Sequence, residues 1–348
     1  MLNIRRATDL DSVKWDEYVL RHEEGGPYHL FAWQRAVLCA YGHESYSMLV
    51  EDEEGSICGV FPIVLVKPPL LKGTLVSQPF CDYGGILADD HDIAQNLADY
   101  IIDLAHRMGM NLEIRCKQRQ PAFEKHTVSL MTNKIRMTLE LPSSPEELWS
   151  SFRSKLRSQI RRPMKDGITF HLGGVEMLES YYEVFSTNMH ALGSPVHSLN
   201  WMKCVLRSFA ESVKIGIVKY GDLTLGSGLI ICCRDTMSLP WASTLREYNH
   251  MSPNMLLYWG FLDHACSEGY RFFDFGRSTI DEGTYFFKKQ WGAQPVALYW
   301  YFDERSYGGH TIRDSSGRIR QVAEKLWSRM PLALANHIGP VIRRYVTL

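Results

Sequence analysis

Several features that would assign this chain to a specialised class of protein are missing from its sequence. The eight cysteines include no C-x-x-C pair, which argues against a zinc ribbon or a thioredoxin-like redox site. No apolar run approaches the roughly 20 residues that cross a membrane, and the start, MLNIRRATDLDSVKWDEY, is unlike a signal peptide. The sequence therefore predicts a cytoplasmic protein with reduced thiols.

An excess of charge of either sign is also missing. The formal net charge is −1, from 38 basic and 39 acidic residues, so any contact with nucleic acid must be local. The 348 residues are 45% hydrophobic, which suffices for two ordinary domains with apolar cores.

One protein-kinase motif is present, but its companions are absent. Residues 274–276 read Asp-Phe-Gly, yet the nearest glycine cluster, Gly226–Gly228, lacks a third glycine. The Arg234-Asp235 pair follows cysteine rather than the histidine of a kinase catalytic loop. The sequence therefore excludes a kinase.

The chain shows one internal similarity. I101-I-D-L-A-H-R-M-G109 aligns with F261-L-D-H-A-C-S-E-G269 at an offset of 160, and each segment ends a predicted helix that precedes a strand. This pattern favours a duplicated α/β unit, with two unrelated α/β domains as the alternative. The proline-bracketed segment Leu141–Pro145 is the candidate linker.

A basic segment follows that linker. Residues 151–167, SFRSKLRSQIRRPMKDG, contain six basic residues and one acidic residue. Arg157 and Arg161 belong to a stripe with a step of four on the predicted helix Pro145–Lys165, which Pro163 is expected to end or kink. Such a stripe suits a polyanion, while a solvated helix face is the alternative.

Polar side chains cluster where a second predicted helix ends. Asn188, His190 and His197 surround a Gly/Pro break, where substrate contact and loop packing are both reasonable. Two histidines without a third ligand make a poor metal site, so no metal is predicted.

The segment Phe273–Ala293 combines charge with aromatic residues. Asp274 interrupts an apolar strand and needs a partner, for which Arg277 is the candidate. Gly283-Thr284-Tyr285 then opens a short helix that carries Lys288 and Lys289, expected to be exposed, and Pro295–Phe302 reads as a final strand. This arrangement predicts positive charge for an oxyanion or phosphate. The alternative is a structural Asp–Arg pair with surface lysines.

Glycine is absent from the join between a strand and the next helix, residues 238–254. Ordinary acetyl-CoA transferases hold pyrophosphate there with a glycine-rich loop at a helix N-terminus. The sequence thus predicts a donor other than acetyl-CoA, or a donor held differently.

Five motifs together resemble the FemAB-like acyltransferases of the GNAT superfamily, in particular FemAB-related proteins associated with exosortase and exopolysaccharide loci. The motifs are D274-F-G-R-S278, G283-T-Y-F-F-K-K-Q-W-G-A293, K155-L-R-S-Q-I-R-R162, P253-N-M-L-L-Y-W259 and C81-D-Y-G-G85.

The resemblance implies an α/β protein with two tandem GNAT-like domains, each a mixed, mostly antiparallel sheet flanked by helices. The expected limits are 1–142 for the first domain and 143–305 for the second, which would carry the acyl-transfer cleft. Residues 306–348 would form a helical tail that packs back on the body. Contact of this tail with the inner face of a membrane is the alternative.

The resemblance also implies transfer of an acyl or aminoacyl group to an amine of a cell-envelope or exopolysaccharide precursor. The donor would be a co-substrate, aminoacyl-tRNA or an acyl thioester, with no tightly bound cofactor. The catalytic residues implied are Lys288, Asp274 and Arg277. The substrate-binding residues implied are Tyr285, Trp241, Asn188, His190, Arg157, Arg161, Asp82 and Tyr83.

Two other functions fit the same residues. One is an N-acyltransferase that uses an acyl-carrier thioester on a polysaccharide amino sugar. The other is a non-catalytic GNAT-like protein that binds a glycan or partner during exopolysaccharide assembly.

Overall fold

The computed structural model describes residues 3–126, 128–303 and 316–348, and the side chains of 316–321 are not considered. The chain divides into two compact units. Unit 1 is formed from Met1–Ile135, Ala297–Ser316 and Arg344–Leu348, and unit 2 from Arg136–Val296 and Gly317–Arg343. None of the helices within the described ranges is long and apolar enough to cross a membrane.

Unit 1 contains an antiparallel four-stranded sheet and a mixed six-stranded sheet, with helices packed on them. Its strand orders are β1-β3-β4-β7 and β2-β5-β6-β8-β17-β9. The elements are β1 (Asn3–Arg6), α1 (Ser12–Arg21), α2 (Phe31–Tyr41), β2 (Glu44–Ser45), β3 (Met48–Glu51), β4 (Ile57–Phe61), β5 (Val64–Val66), β6 (Thr74–Val76), β7 (Leu87–Ala88), α3 (His91–Met108), β8 (Asn111–Cys116), α4 (Pro121–Glu124), β9 (Val128–Met131) and β17 (Tyr299–Asp303).

Helix α3 shows how sequence builds this unit. Asp90 caps its N-terminus by accepting a hydrogen bond from the Ile93 amide, and Gly109, at φ +63°, ends it in the left-handed region that glycine tolerates. Leu97 and Ile101 are fully buried in the core of the unit, as the helical spacing of the apolar residues predicts.

Unit 2 is built on one seven-stranded sheet with the order β11-β12-β13-β14-β15-β10-β16. Its elements are β10 (Lys134–Glu140), α5 (Pro145–Ser151), α6 (Ser154–Lys165), β11 (Ile168–Gly173), α7 (Leu178–Ala191), α8 (Leu199–Phe209), β12 (Val213–Tyr220), β13 (Leu223–Cys233), β14 (Thr236–Thr244), α9 (Pro253–Ser267), β15 (Phe272–Thr279), α10 (Gly283–Lys289), β16 (Gln294–Ala297), α11 (Ser316–Arg329) and α12 (Leu332–Arg343).

Helices cover both faces of this sheet. The Ser227 hydroxyl donates to the Tyr181 carbonyl of α7, whereas a Cβ on Gly228 would lie 2.7 Å from the ring of Phe261 on α9. Because successive residues of a strand face opposite sides, α7 and α9 lie on opposite faces of the sheet. Strands β11 to β14 are antiparallel, and β15 then pairs parallel with β14.

The predicted single helix 145–165 is two helices, α5 and α6. Phe152 between them is extended, with ψ at 144°, and its ring packs edge-on against Trp259 and Trp291. The gain from burying that ring explains the break, which helical periodicity alone does not show. Pro163 lies within α6 and does not end the helix.

The predicted final strand, Pro295–Phe302, is two strands that belong to different sheets, β16 and β17. The chain therefore passes from unit 2 to unit 1 near Ala297, and it returns to unit 2 at Gly317. Unit 2 also begins at Arg136, ahead of the expected limit at residue 142. The expected limit between 305 and 306 lies outside the described residues.

Candidate functional site

The sheet of unit 2 opens between its two parallel strands. β14 and β15 pair at only three positions, the last joining Ser238 to Asp274, although β14 continues to Thr244 and β15 to Thr279. Within the part of the chain that the structure describes, backbone groups beyond those positions have no partner strand at this edge. Pro240 also removes one donor from β14 altogether. The opening is therefore a place where a ligand can contact the main chain.

A bend in β15 is fixed by Asp274, which is 2% exposed. One carboxylate oxygen accepts from the Gly276 amide at 2.8 Å, and the other lies 3.4 Å from an Arg136 guanidinium nitrogen on β10. Gly276 has φ +74°, a conformation that suits glycine. Arg136 is thus an ion-pair partner of Asp274 in the structure. The sequence points to Arg277 as the candidate partner, and Arg136 is an addition to it.

Lys288 is fixed against the same bend. Its ammonium donates to the carbonyls of Gly276 at 3.0 Å and Arg277 at 2.7 Å, and the residue is only 7% exposed. The prediction that Lys288 is exposed is therefore wrong. Lys289 is exposed, and its ammonium lies 3.2 Å from the Tyr285 hydroxyl. Lys288 thus supplies a buried positive charge where β15 leaves β14.

A second polar group lies between β14 and α7. The Asn188 amide donates to the Ser243 hydroxyl at 3.1 Å. The Trp241 ring contacts His197 and Trp201 edge-on, each with 6.3 Å between ring centroids. Burial lowers the pKa of His197 well below its ordinary 6.5, so this imidazole is neutral and contributes shape and hydrogen bonding rather than charge.

His190 points to another part of unit 2. Its Nε2 lies 2.7 Å from the carbonyl oxygen of Met330, between α11 and α12. The structure therefore places this predicted substrate residue at the attachment point of the C-terminal helices.

The basic helix α6 carries its charges outward. Arg161 is exposed and its guanidinium stands 5.1 Å from the ring centroid of Trp149, while Arg157, four residues earlier, is half-buried. Stacking on an aromatic face restrains a guanidinium without neutralising its charge. The helix can therefore present two arginines to a phosphate-bearing ligand.

Asp82 and Tyr83 belong to unit 1. The Asp82 carbonyl accepts from the Trp300 indole at 3.1 Å. Tyr83 is 1% exposed and packs edge-on against Tyr28, with 4.8 Å between ring centroids. Both residues are held by packing within this unit.

Among the described residues, no group of three His, Cys, Asp or Glu side chains is placed to hold a metal ion. The cysteines Cys58, Cys81, Cys116, Cys232, Cys233 and Cys266 are free thiols, and all but Cys232 are buried.

Comparison with known proteins finds a family model that matches one part of the chain. It also finds solved structures that share the fold of most of the chain. Residues 150–289 match the model of the acetyltransferase (GNAT) domain family. FemX has a similar structure, with a TM-score of 0.71 and 14% identity over 88% of this chain and 99% of that one. L-PGS from Bacillus licheniformis follows with 0.57 and 12%, over 94% and 99%.

A tandem GNAT protein from the clavulanic acid biosynthesis pathway has a TM-score of 0.53 and 10% identity, over 87% of this chain and 98% of that one. No curated protein sequence matches the chain. The predicted fold of tandem GNAT-like domains is confirmed, and the segment that matches the acetyltransferase (GNAT) domain model includes the opening between β14 and β15.

Some site residues are visible in the sequence and others are not. Asp274, Arg277 and Lys288 are within one segment, and the structure places them around a single bend. Arg136 lies 138 residues from Asp274 and no local pattern connects the two. Ser238 and Ser243 read as ordinary strand serines, and only the register of β14 places them at the opening.

Proposed function

We propose that this protein is a FemAB-like acyltransferase that transfers an acyl or aminoacyl group to an amine of a cell-envelope or exopolysaccharide precursor. The observation that carries the proposal is the buried Lys288 ammonium at the point where β14 and β15 separate, inside the segment that matches the acetyltransferase (GNAT) domain.

Transfer requires an amine nitrogen to attack an acyl carbonyl carbon. The new C–N bond forms while the bond to the donor oxygen or sulfur breaks, and the proton that the amine loses ends on that departing oxygen or sulfur, which leaves as a hydroxyl or thiol. Negative charge develops on the carbonyl oxygen, and a fixed cation in a site with little water stabilises that charge most. Lys288 fits this role, because its position is set by two backbone carbonyls rather than by its own flexible chain.

The other predicted residues take supporting roles. The Asp274 carboxylate holds the bend in β15. Together, Asp274 and Arg277 determine the electrostatic potential around that bend. Trp241 and Asn188 shape one wall of the opening, and Tyr285 lies at the start of α10. Asp82 and Tyr83 lie in unit 1, and no role at this opening is proposed for them.

The donor is proposed to be aminoacyl-tRNA or an acyl thioester. Arg157 and Arg161 on α6 would bind its phosphates, because guanidinium groups pair with phosphate oxygens. The segment Arg246–Met251, where ordinary acetyltransferases have their glycine loop, is a 3₁₀ helix. The Tyr248, Ser252 and Met255 amides donate to carbonyls within three residues, which leaves them unable to hold a pyrophosphate.

One alternative has support from the same segment. The missing glycine loop also suits a GNAT-like protein that binds a glycan or an assembly partner without catalysis. A thioester-dependent N-acyltransferase acting on an amino sugar is the third candidate, and it differs from the first only in donor and acceptor.

Mass spectrometry of envelope and exopolysaccharide precursors distinguishes the catalytic proposals from the binding one. Cells that contain the chain should accumulate an acylated or aminoacylated precursor that is missing from cells without it and from cells with Lys288→Gln. Identical precursor masses in all three would support the binding protein, and the mass added would identify the acyl group.

A further inference from the structure

The last two helices form a hairpin that is attached to α7 and to the loop after it. A Cβ on Gly193 would lie 2.5 Å from the Glu324 carbonyl on α11, and one on Gly339 would lie 3.1 Å from the Val196 amide. The Asn336 amide donates to the Ser186 hydroxyl at 3.4 Å. These contacts define an inner face, to which the buried Ala335 also belongs.

The outward face is apolar, which is unusual for the solvent side of a surface helix. Val322 and Leu326, one turn apart on α11, are 57% and 63% exposed. Leu334 and Val341, two turns apart on α12, are 45% and 61% exposed, and Ile342 is 41% exposed. Exposed apolar side chains grouped in this way mark an interaction surface.

The same hairpin is basic. Between Ser316 and Arg343 the sequence contains five basic residues and one acidic residue, although the whole chain has a net charge of −1. Lys325 and Arg329 are exposed beside Leu326. Amphipathic helices with apolar and basic side chains partition into the interface of anionic bilayers.

We propose that the outward face of α11 and α12 binds the surface of an anionic lipid bilayer. A second copy of the chain is a poorer occupant, because two copies of the same basic face repel each other. Nucleic acid is poorer too, since it would leave the five apolar side chains without a partner. The headgroups of an anionic bilayer can pair with the basic side chains of the hairpin, and its acyl region can bury the exposed apolar side chains.

The hairpin and the candidate site both contact α7, through different residues. Asn188 contacts Ser243 at the opening, and His190, two residues later, contacts Met330 in the hairpin. Two residues of a helix are about 200° apart around its axis, so the hairpin and the opening contact opposite sides of α7.

Vesicle sedimentation with the full chain tests the surface without donor or acceptor. At low salt the protein should bind vesicles containing phosphatidylglycerol and should not bind vesicles of phosphatidylcholine alone. Leu326→Glu with Val341→Glu should weaken binding at least about tenfold. The matched control is Val175→Glu with Leu223→Glu, two apolar residues of unit 2 that are 67% and 42% exposed, and it should bind like the wild type.

A charge-reversal pair tests the electrostatic part. Lys325→Glu with Arg329→Glu should weaken binding at least about tenfold, while Lys203→Glu with Arg207→Glu, also exposed and one turn apart on α8, should not. Thermal melts confirm that every variant is folded.

No vesicle binding by the wild type, or equal losses in the controls, would overturn the proposal. A dimer in solution that Leu326→Glu and Val341→Glu disrupt, without vesicle binding, would assign the face to self-association. The transferase proposal is judged separately, by transfer to a water-soluble amine in the absence of vesicles.

Discussion

At the residue scale, Lys288 departs most from what its residue type suggests. Lysine is rarely buried, yet this one is 7% exposed and donates to two main-chain carbonyls. The structural role that these contacts give Lys288 accompanies the catalytic role proposed for it, so both stability and transfer rate are measured for its variants.

The first prediction concerns Lys288 and its neighbour. Lys288→Met should lower the free energy of unfolding by about 2 kcal/mol or more, because buried carbonyls lose charged donors, and should slow transfer at least about a hundredfold. Lys289→Met should change stability by less than about 0.5 kcal/mol and remain active. Denaturant melts and transfer rates at a temperature where all variants are folded provide the measurements.

Lys288→Gln separates the two roles. The amide keeps two N–H donors for the carbonyls but has no charge, so it should recover part of the stability and none of the rate. Recovery of the transfer rate in this variant would show that Lys288 holds the bend and takes no part in catalysis.

A second residue-scale prediction concerns pH and His197. Its pKa is lowered in the folded protein by burial, so below about pH 6.5 the unfolded state binds a proton that the folded state does not. Stability should therefore fall as the pH drops below that value, by about 1.4 kcal/mol per pH unit for this group.

His197→Phe keeps an aromatic ring packed on Trp201 and removes the group that binds the proton. The free energy of unfolding of this variant should therefore fall less steeply with decreasing pH, by about 1.4 kcal/mol per pH unit. His171→Phe, at an exposed position of β11, is the control and should keep the wild-type slope. Urea melts between pH 5 and 7 compare the three. Equal slopes for wild type and His197→Phe would contradict the buried neutral imidazole.

At the element scale, α6 is the helix whose function can be tested most simply. Replacing Arg157 and Arg161 by Gln should weaken donor binding and lower the slope of log K against log salt by about 1.4 to 1.8 for two lost phosphate contacts. Lys203→Gln with Arg207→Gln on α8 is the matched control. Binding that is unchanged at low and high salt would make α6 a solvated surface helix.

The start of α9 gives the prediction on donor class. Its neighbouring amides are used within the 3₁₀ turn, so acetyl-CoA should show no saturable binding in calorimetry. An aminoacyl-tRNA or an acyl-carrier thioester should bind. A micromolar dissociation constant for acetyl-CoA, about −8 kcal/mol, would restore an ordinary acetyltransferase.

The limits of a helix or strand can be predicted from the sequence where neighbouring residues determine them. Helix α2, Phe31–Tyr41, and strand β13, Leu223–Cys233, are of this kind, because turn residues and apolar spacing in the sequence mark both ends of each. Strand β11, Ile168–Gly173, was not predicted, although Ile168, Phe170 and Leu172 alternate with polar residues. The break at Phe152 depends on Trp259 and Trp291, more than a hundred residues away, and is not visible locally.

At the scale of the whole molecule, the repeat inferred from residues 101–109 and 261–269 has a structural counterpart. In unit 1, α3 precedes β8, which pairs parallel with β6. In unit 2, α9 precedes β15, which pairs parallel with β14. Duplication of the strand–helix–strand plan was therefore predictable. The assignment of β17 to unit 1 was not, because strand partners are chosen by contacts far apart in the chain.

The central claim is that unit 2 transfers an acyl group to an amine. Its most direct test is mass spectrometry of a reaction with purified protein, charged aminoacyl-tRNA or acyl-carrier thioester, and an amine-bearing envelope or exopolysaccharide precursor. We expect an acceptor heavier by one acyl or aminoacyl group, formed by wild type and Lys289→Met but not by Lys288→Gln. An acceptor of unchanged mass with every donor, while the protein still binds that acceptor, would contradict it.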